Sequence, residues 1–326
     1  MTKLKGLLLT EGFHGMISQV EGLAKALDLD FIHEKIELNN FWKLFPPKIT
    51  PVKNFVFKNK LDHEFNIVIS CGRKSVIPSL YLKNKYKSKI VNIHIQNPKV
   101  SLSNFDFIIA PKHDSLFGEN VVTSKGAIHY LTNDELIENE NYLKPRIDSQ
   151  KKIISFIIGG PNKYYDYNDK IIDEIFLKIE NNFIRNNYQA IIIPSMRTPK
   201  NIIEKAQNYF DKNQIIVLDV DKKAYLSALK LADHIVVTCD STSMISEAAI
   251  TGKPIYVAQM PAVKSNTRFK EFFKLFSSLN IIKNLDSAVE KWDYQKLDEN
   301  LFHFLFQLLY ILSDSFYSLF YHNQQI

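Results

Sequence analysis

The sequence predicts an α/β protein built of two successive doubly wound domains. Three observations carry this expectation. Short apolar runs ending in small or polar residues recur along the chain, each followed by an amphipathic segment. The runs are continuous rather than alternating. After a polar stretch containing Pro145, the pattern starts again. Strands buried on both faces of a parallel sheet read as continuous apolar runs, and strand–helix alternation marks βαβ units. The length of 326 residues suits two domains at roughly 100–200 residues each.

The first domain is placed at 1–140. LKGLLLT (4–10) gives way to EGFHG and then to ISQVEGLAKALD with helical spacing. FNIVIS (65–70) is followed by CGRKSV and IPSLYLKNKY, IVNIHI (90–95) by QNPKV, and FDFIIAP (105–111) by KHDSLF. The polar stretch 134–150 is assigned as the linker. The second domain, 151–290, runs IISFIIGG (153–160), a helix over DKIIDEIFLKIENNFI, AIIIPS (190–195), a helix over PKNIIEKAQNYF, and IIVLD (215–219). It then continues with KKAYLSALKLA, HIVVTCD (234–240), STSMISEAAITG and PIYVAQ (254–259). Residues 291–326 are expected to form a helical tail. Its apolar part, LFHFLFQLLYILSDSFYSLFY (301–321), has the 3.6-residue spacing of a helix packed back on the first domain. A peripheral membrane contact is the alternative, weakened because this stretch lacks Lys and Arg to meet anionic lipid.

The net charge of +6, with Lys and Arg spread along the chain, gives no argument for a nucleic-acid partner. The two cysteines, Cys71 and Cys239, form no CxxC pair, which fits free thiols in a reducing compartment. The apolar run Leu7 to Leu9 is too short for a signal-peptide core, and no stretch approaches the ~18 apolar residues of a membrane span. A cytoplasmic location follows, with association to the cytoplasmic membrane face through the tail as the alternative.

Ligands of open α/β sheets bind beyond the carboxyl ends of the strands, so candidate residues are sought in the turns there. The richest is CDSTSMISEAAITGKP (239–254). After Asp240, Ser241, Thr242 and Ser243 open a helix whose free N–H groups suit a diphosphate. Glu247, one turn further in, suits ribose hydroxyls. The same residues also read as a plain capping box with Ser243 as N-cap and Ser246 or Glu247 as its partner. Gly159 and Gly160 end another strand, where they let backbone approach a ligand closely, and Asn162 shapes the turn. Ser195 and Arg197 lie in PSMRTP, where Arg197 suits a phosphate or is a plain surface residue. The absence of GxGxxG and GxxxxGK[ST] argues against a nicotinamide dehydrogenase or a P-loop NTPase.

In the first domain, Glu11 or His14 suits a general base toward an acceptor hydroxyl, with Gly12 and Gly15 allowing close approach. Gly72 and Arg73, His94 and Gln96, and His113 and Asp114 sit at three further strand ends, with Gln19 on the first helix. No His, Asp and Glu set has metal-ligand spacing, so no metal and no cofactor is expected.

The motifs EGFHGMISQVEGLAKAL, SCGRKSVIPSL, HIQNPKVSLSNFDFIIAPKHD, TSKGAIHYLT, IGGPNK, PSMRTP and DSTSMISEAAITGKPIYV occur in one order. With them the chain resembles the mitochondrial-fission (elongated-mitochondria) family, from about residue 6 to about residue 290. The resemblance implies a GT-B-type fold, two Rossmann-like domains facing a cleft, as in glycosyltransferases and nucleotide-sugar 2-epimerases. It implies a nucleotide-sugar donor on the second domain, with Gly160, Ser195, Arg197, Ser241, Ser243 and Glu247 at matching motif positions. The family's first motif usually has Asp where Glu11 stands, and Asn where Ser18 stands. His14 is not a family motif position and ranks below Glu11.

The expected function is metal-independent transfer of a sugar from a nucleotide-diphosphate donor to an acceptor hydroxyl. Glu11 is the base, and the acceptor, left unidentified, is lipid-linked in one version. One alternative is a non-catalytic recruiting scaffold, because plant members are linked to recruitment of dynamin-related proteins to mitochondria. The other is a nucleotide-sugar epimerase.

Overall fold

The computed structural model describes residues 3–286 and 288–297; the apolar stretch 301–321 lies outside them. The chain divides into two units, one ending at Tyr130 and the other running Leu131–Leu297.

The first unit contains β1 (Lys5–Thr10), α1 (His14–Ala26), β2 (Asp30–Lys35), β3 (Ile67–Cys71), α2 (Val76–Tyr86), β4 (Val91–Ile95), β5 (Phe107–Pro111) and β6 (Val121–Ser124). Its sheet is parallel throughout, in the order β2-β1-β3-β4-β5-β6. The pleat sends successive residues of β1 to opposite faces. Leu8 joins Val20 and Leu23 of α1 on one side, while Leu7 and Leu9 join Val56, Val68 and Ile77 on the other. All three leucines are fully buried, each stabilising the unit by about 1.5–3 kcal/mol relative to exposure. Helix α1 lies so close to the chain at 129–130 that a Cβ at Gly22 would collide with the carbonyl of His129.

Two expectations fail in this unit. No helix follows β4 or β5; short 3₁₀ turns at Leu102–Asn104 and Lys112–Asp114 stand in those places. Strands β2 and β6 arise from sequences without a continuous apolar run. Both are edge strands, with mostly half-buried or exposed residues, so polar residues alternate into them.

The second unit contains α3 (Asn133–Asn139), β7 (Lys152–Ile158), α4 (Asp169–Asn182), β8 (Tyr188–Pro194), α5 (Lys200–Tyr209), β9 (Ile215–Ile216) and α6 (Lys222–Leu231). It continues with β10 (His234–Thr238), α7 (Thr242–Ala248), β11 (Ile255–Ala258), α8 (Thr267–Ser278) and β12 (Ile282–Asn284). The parallel sheet has the order β12-β11-β10-β7-β8-β9. Asn168, Asp221 and Asn266 cap α4, α6 and α8 through their side chains, each satisfying amides that have no partner within the helix.

The polar stretch 134–150 is not a free linker. It carries α3 and two helical turns, and α3 and the first turn, Glu140–Tyr142, pack on α6. Leu143 joins a core layer with Ile153, Ile191 and Ala228. The Leu143 amide donates to Ser227 Oγ at 3.0 Å, and Ser227 Oγ donates to the Glu140 carbonyl at 2.8 Å. The sequence misleads here because the outward face holds the acidic residues and only Leu136 and Leu143 are buried.

Each sheet has one place where successive strands begin to be added on the other side. It falls between β1 and β3 in the first unit and between β7 and β10 in the second. Helices leaving two adjacent strands toward opposite faces open a crevice beyond their carboxyl ends, the usual ligand position in such sheets.

Candidate functional site

In the second unit the switch point gathers three turns around one carboxylate. The Asp240 side chain, just past β10, is fully shielded from solvent. Its Oδ1 accepts from Thr238 Oγ1 at 2.7 Å and from the Tyr167 hydroxyl. Its Oδ2 accepts from the Gly160 amide at 3.2 Å and from Arg197 Nη2 at 2.6 Å. A buried carboxylate is tolerated only when paired and hydrogen-bonded, and four donors meet that need. Burial, followed by the Asp240 charge, drives the Tyr167 hydroxyl well above the usual phenol range, so it stays a donor. Arg197 Nη1 also donates to the Gly160 carbonyl at 2.7 Å.

Gly159 and Gly160 owe their identity to this packing. A Cβ at Gly159 would run into the Asp240 carboxylate, and one at Gly160 into the Arg197 carbonyl. The close approach expected toward a ligand is first an approach between protein groups. Asn162 donates from Nδ2 to the Asp240 carbonyl at 3.1 Å and accepts the Tyr164 amide at 2.8 Å. Ser195 closes the turn after β8: its amide donates to Thr198 Oγ1 at 2.8 Å, and its Oγ accepts the Arg197 amide at 3.3 Å. Arg197 is therefore spent in part on structure, though 41% of its side chain remains exposed.

The capping assignment needs correction. Ser241, not Ser243, is the N-cap of α7, accepting the Met244 amide at 3.3 Å. Ser243 lies within the helix, and Ser246 Oγ turns back to the Thr242 carbonyl at 2.8 Å, so the expected box does not form. Glu247 is buried and accepts the Tyr225 hydroxyl at 2.8 Å. Burial pushes the Cys239 thiol up to about 12, which leaves it protonated and unreactive.

In the first unit, Glu11 follows β1 and Gly72 follows β3, the two strands of the switch point. Lys74 Nζ pairs with Glu11 Oε2 at 3.1 Å, and the Lys74 amide donates to Oε1 at 3.1 Å. Only 9% of the Glu11 side chain is exposed, so its carboxylate is held rather than mobile. Gly72 has φ of 95°, and a Cβ there would press on Met16 Sδ and Glu11 Oε1. Gly12, with φ of 84°, donates its amide to Thr10 Oγ1 at 3.0 Å. Gln96, just past β4, donates to Gln19 Oε1 at 3.1 Å and takes a left-handed φ of 79°, which costs an ordinary side chain about 1–2 kcal/mol. Gln19 Nε2 donates in turn to the carbonyl of Gly15, inside α1. Glu11, Gly72 and Gln96 thus sit at the ends of three adjacent strands, with Gln19 of α1 bonded to Gln96.

Five expected residues do other work. Arg73 donates to the carbonyls of Lys43 and Phe45 at 2.7 and 3.2 Å and so ties down a surface loop. His94 is fully buried within β4, 2.8 Å from Ser70 Oγ, and burial lowers its pKa to about 3; it is a neutral core histidine. His113 and Asp114, with Nε2 and Oδ1 3.7 Å apart, lie in the turn after β5, two strands from β3. His14 Nε2 stands 3.4 Å from the Tyr130 hydroxyl.

Lys74, Tyr167, Thr198 and Thr238 complete the two clusters and were not singled out from the sequence. The sequence places Arg73 and Lys74 alike after Gly72, and only the structure separates them: Lys74 reaches Glu11, whereas Arg73 turns to the 43–45 loop. Nothing local marks Tyr167, which reaches Asp240 from 73 positions away.

Comparison with known proteins fits this architecture. A putative UDP-N-acetylglucosamine 2-epimerase from Listeria monocytogenes superposes with a TM-score of 0.51 at 11% identity, covering 94% of this chain and 88% of that one. The UDP-GlcNAc 2-epimerase from Methanocaldococcus jannaschii gives 0.50 at 13% identity, covering 93% and 99%. At such identities the likeness shows the fold, which is of the GT-B type. An uncharacterised protein from Rickettsia prowazekii is 26% identical over 273 residues, covering 72% of this chain and 76% of that protein. The mitochondrial fission protein ELM1 of Arabidopsis thaliana is 23% identical over 262 residues. That alignment covers 72% of this chain and spans 61% of the plant protein. The model of the mitochondrial fission ELM1 family matches residues 14–301, and the chain belongs to that family.

Proposed function

We propose that this protein is a glycosyltransferase that takes a nucleotide-diphosphate sugar on its second unit and passes the sugar to an acceptor hydroxyl. One observation carries the reading: both clusters of chemistry-bearing residues fall at the switch points of their sheets, where this topology binds ligands. In the second unit the nucleotide lies over the Gly160–Asn162 turn, Ser195, Arg197 and the 241–247 segment. Asp240 fixes one side of the Arg197 guanidinium, and its exposed edge offers the remaining N–H groups to a phosphate. Preorganised donors of this kind stabilise charge developing on a departing diphosphate. Glu247 accepts from ribose hydroxyls. In the first unit Glu11, held by Lys74, takes the acceptor proton. Nucleotide-sugar 2-epimerases among the structural neighbours make UDP-GlcNAc the first donor to try and epimerisation the competing outcome.

Calorimetry and thermal shift with UDP, GDP, CMP, ADP and their sugar conjugates test the donor site. A ligand at about a hundred times its Kd stabilises a protein by roughly 2.7 kcal/mol, several degrees in Tm at this size. The expected result is a shift with one nucleotide that Glu247→Ala removes. A flat response to all of them overturns the reading and favours the non-catalytic recruiting scaffold. Hydrogen exchange at the sugar carbon, without transfer, would favour the epimerase.

A further inference from the structure

One surface of the first unit plays no part in either cluster. Between β2 and β3 the chain makes three 3₁₀ turns, Trp42–Leu44, Pro47–Ile49 and Asn54–Val56. Pro46, Pro47 and Pro51 keep this stretch out of helix and sheet. Large apolar side chains point outward from it: Leu44 is 79% exposed, Ile49 62%, Phe41 61% and Phe55 55%. The rings form one group. Phe41 contacts Trp42 and Phe45 at centroid distances of 4.9 and 5.0 Å, and Trp42 contacts Phe55 at 6.1 Å. The loop is held in place, since Arg73 grips the carbonyls of Lys43 and Phe45 and Thr50 Oγ1 donates to the Pro46 carbonyl at 2.9 Å. Its apolar face is presented by a fixed backbone.

The charge around it has one sign. From 38 to 61 the sequence has five lysines and no Asp or Glu. Residues 1–130 hold 18 Lys and Arg against 11 Asp and Glu, so this unit accounts for the positive balance of the chain. The cationic residues that looked evenly spread along the sequence are unevenly balanced once acids are counted by unit. Beside the loop opens a cavity of about 470 Å³. Val52, Ile77, Leu80 and Val100 give it an apolar wall, and Lys48 and Lys99 stand at it with no acidic partner among the described residues.

We propose that the 41–55 loop seats the first unit on an anionic lipid surface, with the adjoining cavity receiving one lipid, its head between Lys48 and Lys99 and its chain against the apolar wall. Exposed aromatic and aliphatic side chains interleaved with lysines match the interfacial zone of a bilayer, where rings enter the headgroup layer and ammonium groups meet lipid phosphates. A protein partner fits less well, because lysine is depleted at the centres of protein interfaces. The inference is independent of the nucleotide-sugar reading, and its test measures no turnover.

The experiment floats the full chain with vesicles of phosphatidylcholine alone or mixed with phosphatidylglycerol. Binding to the mixed vesicles only, weakening as salt rises, is expected. Lys48→Ala/Lys53→Ala should weaken it about thirtyfold, at about 1 kcal/mol per lysine near the surface. Phe41→Ser/Leu44→Ser should weaken it at least tenfold, with Tm unchanged in both variants. Trp42 is one of two tryptophans, so in Trp292→Phe it reports alone, and its emission should move to shorter wavelength on the mixed vesicles. No binding, binding unaffected by both double variants, or binding with unchanged Trp42 emission overturns the proposal. So does self-association in vesicle-free solution that Phe41→Ser/Leu44→Ser abolishes, which would assign the face to a second copy of the chain.

Discussion

The two switch points solve opposite problems. In the second unit a carboxylate with no solvent exposure is saturated by four donors, and two glycines are imposed by protein–protein contact. In the first unit the carboxylate of Glu11 has one ion-pair partner and one amide, and the glycines beside it, Gly12 and Gly72, are imposed by left-handed backbone. The first arrangement builds a rigid platform whose cost of disruption is structural. The second holds a carboxylate in place while leaving lone pairs uncommitted, as a proton acceptor requires.

The largest expected effect that tests this contrast is Asp240→Ala. Removing the acid leaves the Gly160 amide, Thr238, Tyr167 and Arg197 without their acceptor. A broken buried pair typically costs 3–5 kcal/mol; Arg197 is partly exposed, which places the loss at about 3 kcal/mol in urea unfolding. Glu11→Gln keeps an acceptor for the Lys74 amide and loses only the ion pair with part-exposed Lys74, so it should cost about 1–2 kcal/mol while abolishing transfer. Equal destabilisation by the two changes would erase the distinction, and unchanged turnover in Glu11→Gln would remove Glu11 as the base.

Next comes the glycine pair. Gly160→Ala meets backbone and should cost about 2 kcal/mol by overpacking. Gly72→Ala meets the flexible end of Met16 and keeps an unfavourable φ, for about 1 kcal/mol. A larger loss at Gly72 would reverse the assignment of which site is built by contact.

The remaining comparison is a pH slope, small near neutrality and growing as the solution is acidified. His94 binds its proton near pH 3 when folded and near 6.5 when unfolded. Below pH 6.5 the unfolded state binds the extra proton, so stability is full above 6.5 and falls by about 1.4 kcal/mol per unit as pH drops toward 3. His94→Asn should flatten this slope by up to one proton. His234 in the second unit is lowered in the same direction, by burial, so an unchanged slope in the variant would remove His94 as its source.

Most of the fold was readable in the sequence because the inner strands of a doubly covered sheet are buried on both faces and so read as largely apolar runs, as β3, β4, β5, β7, β8 and β10 do. The strands that escaped notice, β2, β6 and β12, are all edges, where one side faces solvent and the apolar run breaks. Helix α3 escaped because it buries little besides Leu136.

The sequence by itself determined the two-unit α/β plan, the family and the strand ends at which polar residues gather, since each follows from local runs and ordered motifs. Only the tertiary structure decided which polar residues at those ends serve each other. It assigned Arg197 to Asp240, Lys74 to Glu11, Arg73 to a surface loop and His94 to the core. These pairings join residues from 24 to 63 positions apart. They form because a parallel sheet brings distant strand ends side by side, where a buried charge or donor must find a partner.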